Sequence, residues 1–397
     1  MSSPGTGAGH FQAGARTLAL KRPHGDGRDL RAWDAADEQL VSQALARLRP
    51  GQRVAVVDDR FGALSLGLAD FQPDIVADSA ALAEGLTANA RLNGLPVPAV
   101  SSWADQLGDL SAGQAPAAMA AARYDAIVLK VPRQLDYLAF LLRWCNQVLR
   151  PGGWLLTGGM IKHLPDQAAR LYQQLVVTGE VLPAKKKARL VVCGPGSETL
   201  AGWPGLWQGY TVPGLPAPVR ALPAVFVRDR LDMGSRELLP FITAAAERMP
   251  PGAPVLDLAC GNGLLGLTAL AGRPDLAVSF ADISSQGILS ARANLAAMGP
   301  DRGGCRFFHA DGVPAGSGAF PLVLLNPPFH EGGTVGDHIA LRLFADAAGC
   351  LTDDGEILVV GNRHLGYHQS LRRSFAEVTQ LQATPRFVVF RASRRRH

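Results

Sequence analysis

The chain has 397 residues, which predicts two or three domains at about 150 residues each. Its net charge of +5 is too small to identify a polyanionic partner. Five scattered cysteines without a C-x-x-C pair argue against a disulfide framework and a zinc site, and they favour the reducing cytoplasm. The first residues lack the pattern of a secretory signal, and the most apolar helical stretch, Leu135 to Arg150, is too short to span a bilayer.

Five segments of the first half recur in the second half in the same order, at an offset of roughly 200 residues. Short runs rich in Val, Ile and Leu predict buried parallel strands, and the amphipathic stretches between them predict helices. The matched segments are 53–59 and 254–263, 74–78 and 277–284, 87–94 and 290–299, 124–133 and 320–329, and 148–159 and 350–362. The pattern predicts two similar α/β domains in tandem.

The repeat predicts how the chain divides into domains. We expect a disordered tail over 1–14, a degenerate first domain over 15–197, and a second domain over 225–397. Residues 198–224 are rich in Pro and Gly, which disfavours a helix and predicts a linker between the two copies.

A glycine-rich loop follows the first apolar strand of the second copy. Gly261, Gly263 and Gly266 satisfy G-x-G-x-x-G, and Asp282 ends the next strand about twenty residues later, where it can accept from ribose hydroxyls. Asp257 precedes the loop, where its carboxylate would repel a pyrophosphate but attract the ammonium group of S-adenosylmethionine. This favours the methyl donor over NAD. The predicted donor site comprises Asp257, Cys260, Gly261, Asn262, Gly263, Asp282, Ile283 and Asp311. Asp311, or a backbone group next to it, is predicted to face the adenine.

The first copy has lost most of this loop. Asp58 and Asp78 remain, but only Gly62 lies in the expected glycine positions. Arg60 and Phe61 stand beside it, and their side chains would obstruct a close approach of the backbone to a ligand. We therefore predict that the first domain does not bind the donor.

The motif Asn326-Pro327-Pro328-Phe329 follows a buried strand of the second copy. The prolines hold the tetrapeptide extended, so that its carbonyl groups project in fixed directions. The Asn326 side-chain oxygen and the Pro327 carbonyl are predicted to accept both N–H groups of a nucleobase amine and align it with the methyl donor. Phe329 is predicted to stack on the base, which must first be extruded if it lies in a helix.

Several motifs together resemble a known family. The stretches "NPPFHEGG", "GEILVVGNRHLGYHQSL" and "VFVRDRLDMGSRELL" look like those of the ribosomal RNA guanine-N2-methyltransferases with duplicated methyltransferase domains. The stretches "LRAWDAADEQL", "RFGALSLGLA" and "KKARLVVC" are similar to the large-subunit (23S) branch. The resemblance implies two Rossmann-like class I methyltransferase domains, each a mostly parallel sheet flanked by helices. It also implies an inactive first copy that recognises RNA, and an active second copy that methylates N2 of one guanine.

Two kinds of basic site are predicted to contact RNA phosphates. Lys185, Lys186, Lys187 and Arg189 form a cluster, and the chain ends in a run of arginines. Lys130 and Arg133 stand in the first copy where Asn326 and Phe329 stand in the second, and they place positive charge there. The histidines after the motif lack metal-ligand spacing, so we predict no metal site. We expect a cytoplasmic monomer that acts on ribosomal RNA.

Other functions remain open at this point. Asn-Pro-Pro followed by an aromatic residue serves any conjugated amine, so adenine N6 is an alternative to guanine N2, and 16S RNA is an alternative substrate to 23S RNA. A non-catalytic RNA-binding assembly factor is a further alternative, which the intact loop and motif disfavour. An NAD-dependent dehydrogenase is disfavoured by Asp257 and by the absence of any role for the motif in hydride transfer.

Overall fold

The computed structural model describes residues 9–23, 31–108, 122–164, 167–299, 304–328, 330–331, 334–335 and 337–394. These residues form two compact units, with the boundary between Leu206 and Trp207. Unit 1 comprises the described residues up to 206, and unit 2 comprises those from 207 onward. None of the helices in these ranges is long and apolar enough to cross a membrane.

Unit 1 contains a two-stranded hairpin and a seven-stranded sheet. Its elements are β1 (Gly9–Ala13), β2 (Arg16–Leu20), α1 (Ala35–Arg47), β3 (Val54–Val57), α2 (Ala63–Gly67), β4 (Asp74–Val76), α3 (Ala81–Leu92), β5 (Val100–Ser101), α4 (Trp103–Leu107), β6 (Tyr124–Lys130), α5 (Leu135–Val148), β7 (Leu149–Met160), α6 (Ala168–Leu175), β8 (Val177–Val181) and β9 (Ala188–Gly194). Short 3-10 helices cover Ala69–Phe71 and Ile161–His163. The sheet order is β5-β4-β3-β6-β7-β9-β8, with β9 antiparallel to both neighbours.

Unit 2 repeats this plan. Its elements are β10 (Gln208–Tyr210), β11 (Val219–Ala221), α7 (Met233–Arg248), β12 (Pro254–Leu258), α8 (Leu264–Gly272), β13 (Ala277–Asp282), α9 (Ser285–Ala297), β14 (Arg306–His309), β15 (Phe320–Leu325), β16 (His330–Glu331), β17 (Thr334–Val335), α10 (Asp337–Cys350), β18 (Leu351–Asn362), α11 (Tyr367–Leu371), β19 (Glu377–Ala383) and β20 (Phe387–Ser393). A 3-10 helix covers Arg363–Leu365. The sheet order is β14-β13-β12-β15-β18-β20-β19, with β20 antiparallel to both neighbours.

The two sheets have the same strand order and the same antiparallel strand. In each unit the central strands are buried on both faces, because the helices pack on both sides of the sheet. This explains the continuous apolar runs of the sequence, such as Val54–Val57, in which all four side chains are buried. The predicted tandem of two Rossmann-like α/β domains, each a mostly parallel sheet flanked by helices, is confirmed.

Each unit begins with a hairpin that the sequence analysis missed. The predicted tail over 1–14 is wrong from residue 9 onward, since Phe11 in β1 is fully buried. The segment predicted as a linker contributes its first residues to unit 1 and carries the hairpin β10–β11 of unit 2. These strands are only three to five residues long, so the alternation of apolar residues is too brief to distinguish them from loops.

A buried asparagine fastens each hairpin to its unit. In unit 1, Asn89 of α3 donates from Nδ2 to the carbonyls of Lys21 (3.0 Å) and Phe61 (2.8 Å). In unit 2, Asn294 of α9 donates from Nδ2 to the carbonyls of Arg220 (2.7 Å) and Asn262 (2.9 Å). In both units the same amide therefore joins the hairpin to the loop after the first sheet strand, which is the predicted donor loop in unit 2.

Candidate active site

The loop between β12 and α8 turns sharply at three residues with positive φ. These are Ala259 (55°), Gly261 (53°) and Gly263 (83°), a region that favours glycine. A Cβ on Gly263 would lie 3.0 Å from the Cβ of Ala291, and a Cβ on Gly266 would lie 2.5 Å from Cε1 of Phe280. The glycines therefore permit both the turn and the close packing of α8 on the sheet, as in nucleotide-binding loops.

Asp257 lies under this loop on β12 and is fully buried. Its Oδ2 accepts a hydrogen bond from the Gly266 amide (2.8 Å), while Oδ1 has no partner among the described residues. Burial raises the pKa of Asp257 well above its ordinary value; the Gly266 hydrogen bond opposes this shift and the charge of Asp282 adds to it. A buried acceptor without a partner, beneath this loop, suits a cationic ligand group.

Asp282 connects the loop to the end of the neighbouring strand β13. Its Oδ2 accepts from the Gly261 amide (2.7 Å) and its Oδ1 accepts from the Ser284 amide (2.7 Å). These two bonds hold the carboxylate between the loop and Ser284, the N-cap of α9. Ile283 follows directly and is 39% exposed, which places an apolar side chain beside the carboxylate. An acid next to an exposed apolar surface is suited to a ribose and an adenine ring.

Three other residues of the predicted donor site have structural contacts. Cys260 is buried, and burial raises the pKa of its thiol well above the ordinary value, so the thiol is neutral rather than nucleophilic. Asn262 donates from Nδ2 to the Tyr210 hydroxyl (3.1 Å) of the hairpin. Asp311 forms an ion pair with Arg342 of α10. Adenine contact by Asp311 stays a prediction.

The amide of Asn326 is held in a defined orientation at the end of β15. Its Nδ2 donates to Oδ2 of Asp232 (3.0 Å) and to Oγ of Ser235 (2.9 Å). Its Oδ1 is buried and accepts no hydrogen bond from any described residue. Strand β15 lies beside β12, and Leu325 pairs with Leu258. Asn326 follows Leu325 and the donor loop follows Leu258, so the two lie side by side at the ends of these strands. The geometry presents an unoccupied acceptor next to the donor loop.

The rest of the motif is only partly described. Pro327 is buried and Pro328 is exposed. Phe329 lies outside the described residues, so its predicted stacking role stays a prediction.

Asp232 and Ser235 were not among the predicted site residues. Asp232 is the N-cap of α7, and its Oδ2 also accepts from the Ser235 amide (2.8 Å). The signal was present in the sequence as Asp-x-x-Ser directly before an apolar periodic run, which is typical of a helix start. A helix-capping pattern does not reveal that Asp232 and Ser235 also accept hydrogen bonds from the side-chain amide of Asn326, which follows a distant strand.

Unit 1 has a different side chain in the same place. Leu129 of β6 pairs with Val57, and in unit 2 Leu325 of β15 pairs with Leu258. The next residues, Lys130 and Asn326, therefore occupy equivalent positions in the two units. The Lys130 ammonium lies 2.6 Å from Oδ2 of Asp37 and 3.0 Å from Oδ2 of Asp34, the N-cap of α1. The side chain of Lys130 is 12% exposed. The phosphate-binding role predicted for Lys130 does not fit this ion-paired, mostly buried position, and we do not retain it.

The loop after β3 in unit 1 keeps the turn but changes its contents. Asp58 and Gly62 have positive φ (53° and 94°), as Ala259 and Gly263 do. Val56 occupies the strand position of Asp257, since it lies two residues before the first turn residue in both units. Asp59 instead binds the amide and the hydroxyl of Ser65, both at 2.8 Å. Arg60 occupies the position of Gly261.

The lysine cluster forms the tip of the hairpin β8–β9. Lys185 and Ala188 bond to each other, and Lys186 (φ 51°) and Lys187 (φ 61°) are the two central residues of the turn. Lys186 pairs with Glu38 at 2.7 Å, whereas the exposed Lys185, Lys187 and Arg189 have no acidic partner in the described parts of the chain. Positive φ at two lysines is unusual, because glycine and asparagine are the residues that this turn favours.

Comparison with known proteins agrees with this architecture. The family model "RLMG N-terminal domain" matches residues 8–197, and the model "Methyltransferase small domain" matches residues 217–391. Proteins named ribosomal RNA large subunit methyltransferase G, from Alcanivorax borkumensis and Pseudomonas putida, are 35% identical over 94% of this chain and over 94% and 96% of their own lengths.

A solved structure shares the whole fold. It is the T. thermophilus 16S rRNA N2 G1207 methyltransferase (RsmC) in complex with AdoMet and guanosine, and it matches 98% of both chains with a TM-score of 0.72 and 24% identity. This likeness concerns the fold alone. The identity and coverage of the curated relatives show that the chain belongs to the family of ribosomal RNA large subunit methyltransferases G.

Proposed function

We propose that this protein transfers a methyl group from S-adenosylmethionine to the exocyclic N2 of a guanine in 23S ribosomal RNA. The orientation of Asn326 carries the proposal. Its Nδ2 is bound by Asp232 and Ser235, so Oδ1 is the atom left to accept from a substrate N–H beside the donor loop. A direct displacement needs this kind of positioning and no covalent enzyme intermediate.

The donor is proposed to bind where Asp257, Gly261 and Asp282 meet. The donor supplies an electrophilic methyl group. Asp257 attracts the ammonium group of the donor, Asp282 accepts from ribose hydroxyls, and Ile283 covers one face of the adenine. Because Asp257 is buried with an unpaired oxygen, a bound cation lowers the pKa of its carboxyl from the raised value and favours the ionised form.

The acceptor amine is proposed to lie between Asn326 and the carbonyl of Pro327. Two acceptors bind the two N–H groups of the amine and hold its nitrogen in line with the methyl group. Phe329 is proposed to stack on the base, which contributes roughly 1–3 kcal/mol. The choice of 23S RNA is supported by the names of the curated relatives, and the choice of guanine N2 by the similar fold of an N2 guanine methyltransferase solved with guanosine.

The remaining parts of the proposal concern binding. Unit 1 is proposed to recognise RNA without binding the donor, and Lys185, Lys187 and Arg189 are proposed to contact phosphates. We propose a cytoplasmic monomer, consistent with five cysteines that form no disulfide among the described residues.

The test uses the purified protein, labelled donor, and protein-free 23S and 16S RNA. We expect label in 23S RNA, recovered as N2-methylguanosine after digestion to nucleosides. Asn326→Ala should reduce kcat by about 100-fold or more, while calorimetry shows unchanged donor binding, because only substrate alignment is lost. Label in 16S RNA alone, label in N6-methyladenosine, or full activity of Asn326→Ala would each contradict the proposal.

A further inference from the structure

One side chain fixes the middle of the donor loop. Asn262 lies between Gly261 and Gly263, which both have positive φ. Because glycine has the greatest backbone freedom, the path of the loop depends on what holds residue 262. Asn262 is 7% exposed, and both ends of its amide are used: Oδ1 accepts from the Leu264 amide (3.3 Å), and Nδ2 donates to the Tyr210 hydroxyl (3.1 Å). The Tyr210 hydroxyl therefore fastens this side chain to the hairpin β10–β11.

The hairpin of unit 1 has no tyrosine at the equivalent position. In unit 2, Val219 precedes the residue that the buried asparagine of α9 binds, and it pairs with Tyr210. In unit 1, Leu20 precedes the residue that the buried asparagine of α3 binds, and it pairs with Gly9. Gly9 thus occupies the position of Tyr210. A Cβ on Gly9 would lie 2.5 Å from Cη2 of Trp33, so this position in unit 1 has no room for a side chain.

The loop of unit 1 lacks the other member of the contact. Phe61 precedes Gly62 as Asn262 precedes Gly263, and in both units the buried asparagine binds the carbonyl of the first residue of this pair. Phe61 has no side-chain amide, and the guanidinium carbon of Arg22 lies 5.1 Å from the centroid of its ring. The tyrosine and the asparagine therefore occur together in the unit with the glycine turn and are absent together from the other. Such a joint difference points to a role in the donor site rather than in the fold.

A displacement of residue 262 would reach the ligand side of the loop. The neighbouring Gly261 amide donates to Oδ2 of Asp282 (2.7 Å), the carboxylate that is proposed to accept from ribose hydroxyls. Without the Tyr210 hydroxyl, Nδ2 of Asn262 would be a buried donor without its partner, which is unfavourable. The loop would relieve this by turning the amide toward water, because the flanking glycines permit the movement. The Gly261 amide would then move away from Asp282.

Tyr210 also lies near the acceptor site. Burial raises the pKa of the Tyr210 hydroxyl above its ordinary value; the Asn262 hydrogen bond opposes this shift and the charge of Asp232 adds to it. Asp232 in turn accepts from Nδ2 of Asn326 (3.0 Å). Tyr210 could therefore act on the donor through Asn262 or on the acceptor amine through Asp232. Only the first of these routes contains a hydrogen bond from Tyr210 in the described part of the chain.

We propose that Tyr210 is a positioning residue for the methyl donor, which acts through Asn262 to hold the donor loop in the conformation that binds S-adenosylmethionine. The inference rests on the proposed function in that it takes the donor to bind at this loop. It gives the hairpin β10–β11, which lies about 50 residues before the glycine-rich motif, a role in donor affinity.

The test compares two variants of the full chain that each lose one tyrosine hydroxyl. Tyr210→Phe removes the contact with Asn262. Tyr172→Phe is the matched control, because it removes a buried hydroxyl of unit 1 that lies 2.9 Å from Oγ1 of Thr157. Calorimetry measures the Kd for the donor, steady-state kinetics with saturating donor measures kcat, and urea unfolding measures stability.

We expect Tyr210→Phe to raise the donor Kd about 5-fold, as for the loss of one hydrogen bond, and to change kcat less than about 2-fold. The control should leave the donor Kd unchanged even where it lowers stability. An unchanged Kd in Tyr210→Phe, or an equal increase in the control, overturns the proposal. A loss confined to kcat also overturns it, because the effect would then run through Asp232 to the acceptor amine.

A double variant tests whether Tyr210 acts through Asn262. If it does, adding Tyr210→Phe to Asn262→Ala should change the donor Kd by less than about 2-fold, because the contact is already lost. The full increase of Tyr210→Phe in this background would contradict the route through Asn262.

Hydrogen exchange without donor examines the loop itself. The amides of Gly261, Gly263 and Leu264 are all hydrogen-bonded, and we expect them to exchange about 5-fold faster in Tyr210→Phe than in the native protein or the control. Unchanged exchange would show that Tyr210 does not hold the loop. A native protein that binds no S-adenosylmethionine would refute the proposed function, whereas the exchange rates would still decide whether Tyr210 fixes the loop.

Discussion

The side chains of Asp232 and Ser235 determine what Asn326 can do. An amide can present either its oxygen or its nitrogen to a substrate, and the two ends have opposite hydrogen-bonding character. Here both acceptors at the start of α7 lie on the nitrogen side, at 3.0 and 2.9 Å, which leaves the oxygen as the end that can accept a hydrogen bond. Without them the amide would rotate, and a substrate amine would meet N–H groups in a fraction of molecules.

Ser235→Ala tests this orientation. Loss of one hydrogen bond of about 1 kcal/mol should lower kcat roughly 5-fold while KM for RNA changes little, since the effect is on alignment rather than on binding. Steady-state kinetics with saturating donor measures kcat and the KM for RNA separately. Ser235→Thr keeps the hydroxyl and should restore most of the rate. A change confined to KM, or equal rates for the alanine and threonine variants, would contradict the positioning role.

At the scale of elements, the turn of the hairpin β8–β9 has lysines at two positions whose backbone conformation favours glycine. Its turn places Lys186 and Lys187 in the left-handed region, which costs roughly 1–2 kcal/mol for each residue with a side chain. Nothing in the packing of these exposed residues offsets this cost, apart from the Lys186 pair with Glu38. Strain held at an exposed basic turn is consistent with a role in binding.

Lys187→Gly should therefore separate folding from binding. We expect the free energy of unfolding to rise by about 1 kcal/mol, because glycine adopts the left-handed region without penalty, while the salt slope of RNA binding falls by about 1. Urea unfolding and RNA anisotropy measure the two effects. Lys187→Arg, as the control, should keep both values near those of the native protein. A stabilised glycine variant with unchanged RNA binding would remove Lys187 from the interface.

At the scale of the whole molecule, the chain contains the same fold twice, with different side chains at the same sheet edge. Unit 2 keeps the glycine turn and an unpaired Asp257 oxygen, whereas unit 1 has Arg60 and Val56 in the equivalent positions. Both units nevertheless share the hairpin, the strand order and the buried asparagine that binds the loop after the first sheet strand. The fold therefore does not depend on the donor site. Donor binding should therefore be confined to one half of the chain.

Hydrogen exchange of the full chain, with and without donor, tests this asymmetry. At a donor concentration of 100 times Kd, ligand binding should stabilise unit 2 by about 2.7 kcal/mol, so that amides of β12 and α8 exchange more slowly. Amides of β3 and α2 should exchange at the same rate in both samples. Gly261→Arg, which copies the residue found in unit 1, should abolish the protection. Protection of β3 and α2 would show that unit 1 binds the donor.

The sequence predicted features that repeat and missed those that depend on long-range contacts. The sheet strands and the equivalence of Lys130 with Asn326 follow from apolar runs and their order. The partners of those two residues do not, because Asp232 lies 94 residues from Asn326 in the chain and Asp37 lies 93 residues from Lys130. Side-chain type alone therefore predicted that Lys130 is a phosphate ligand, whereas its neighbours make it half of a buried ion pair.

That ion pair also restricts how unit 1 can change during evolution. Lys130→Asn alone would leave Asp37, which is 3% exposed, without its counter-ion, and removing one member of a buried pair costs about 3–5 kcal/mol. Asp37→Ser alone would leave the ammonium with only Asp34. Either single step back toward an amine-binding pocket passes through a less stable protein. Lys130 and Asp37 are therefore expected to be exchanged only as a pair, so the position in unit 1 that corresponds to Asn326 cannot change alone without loss of stability.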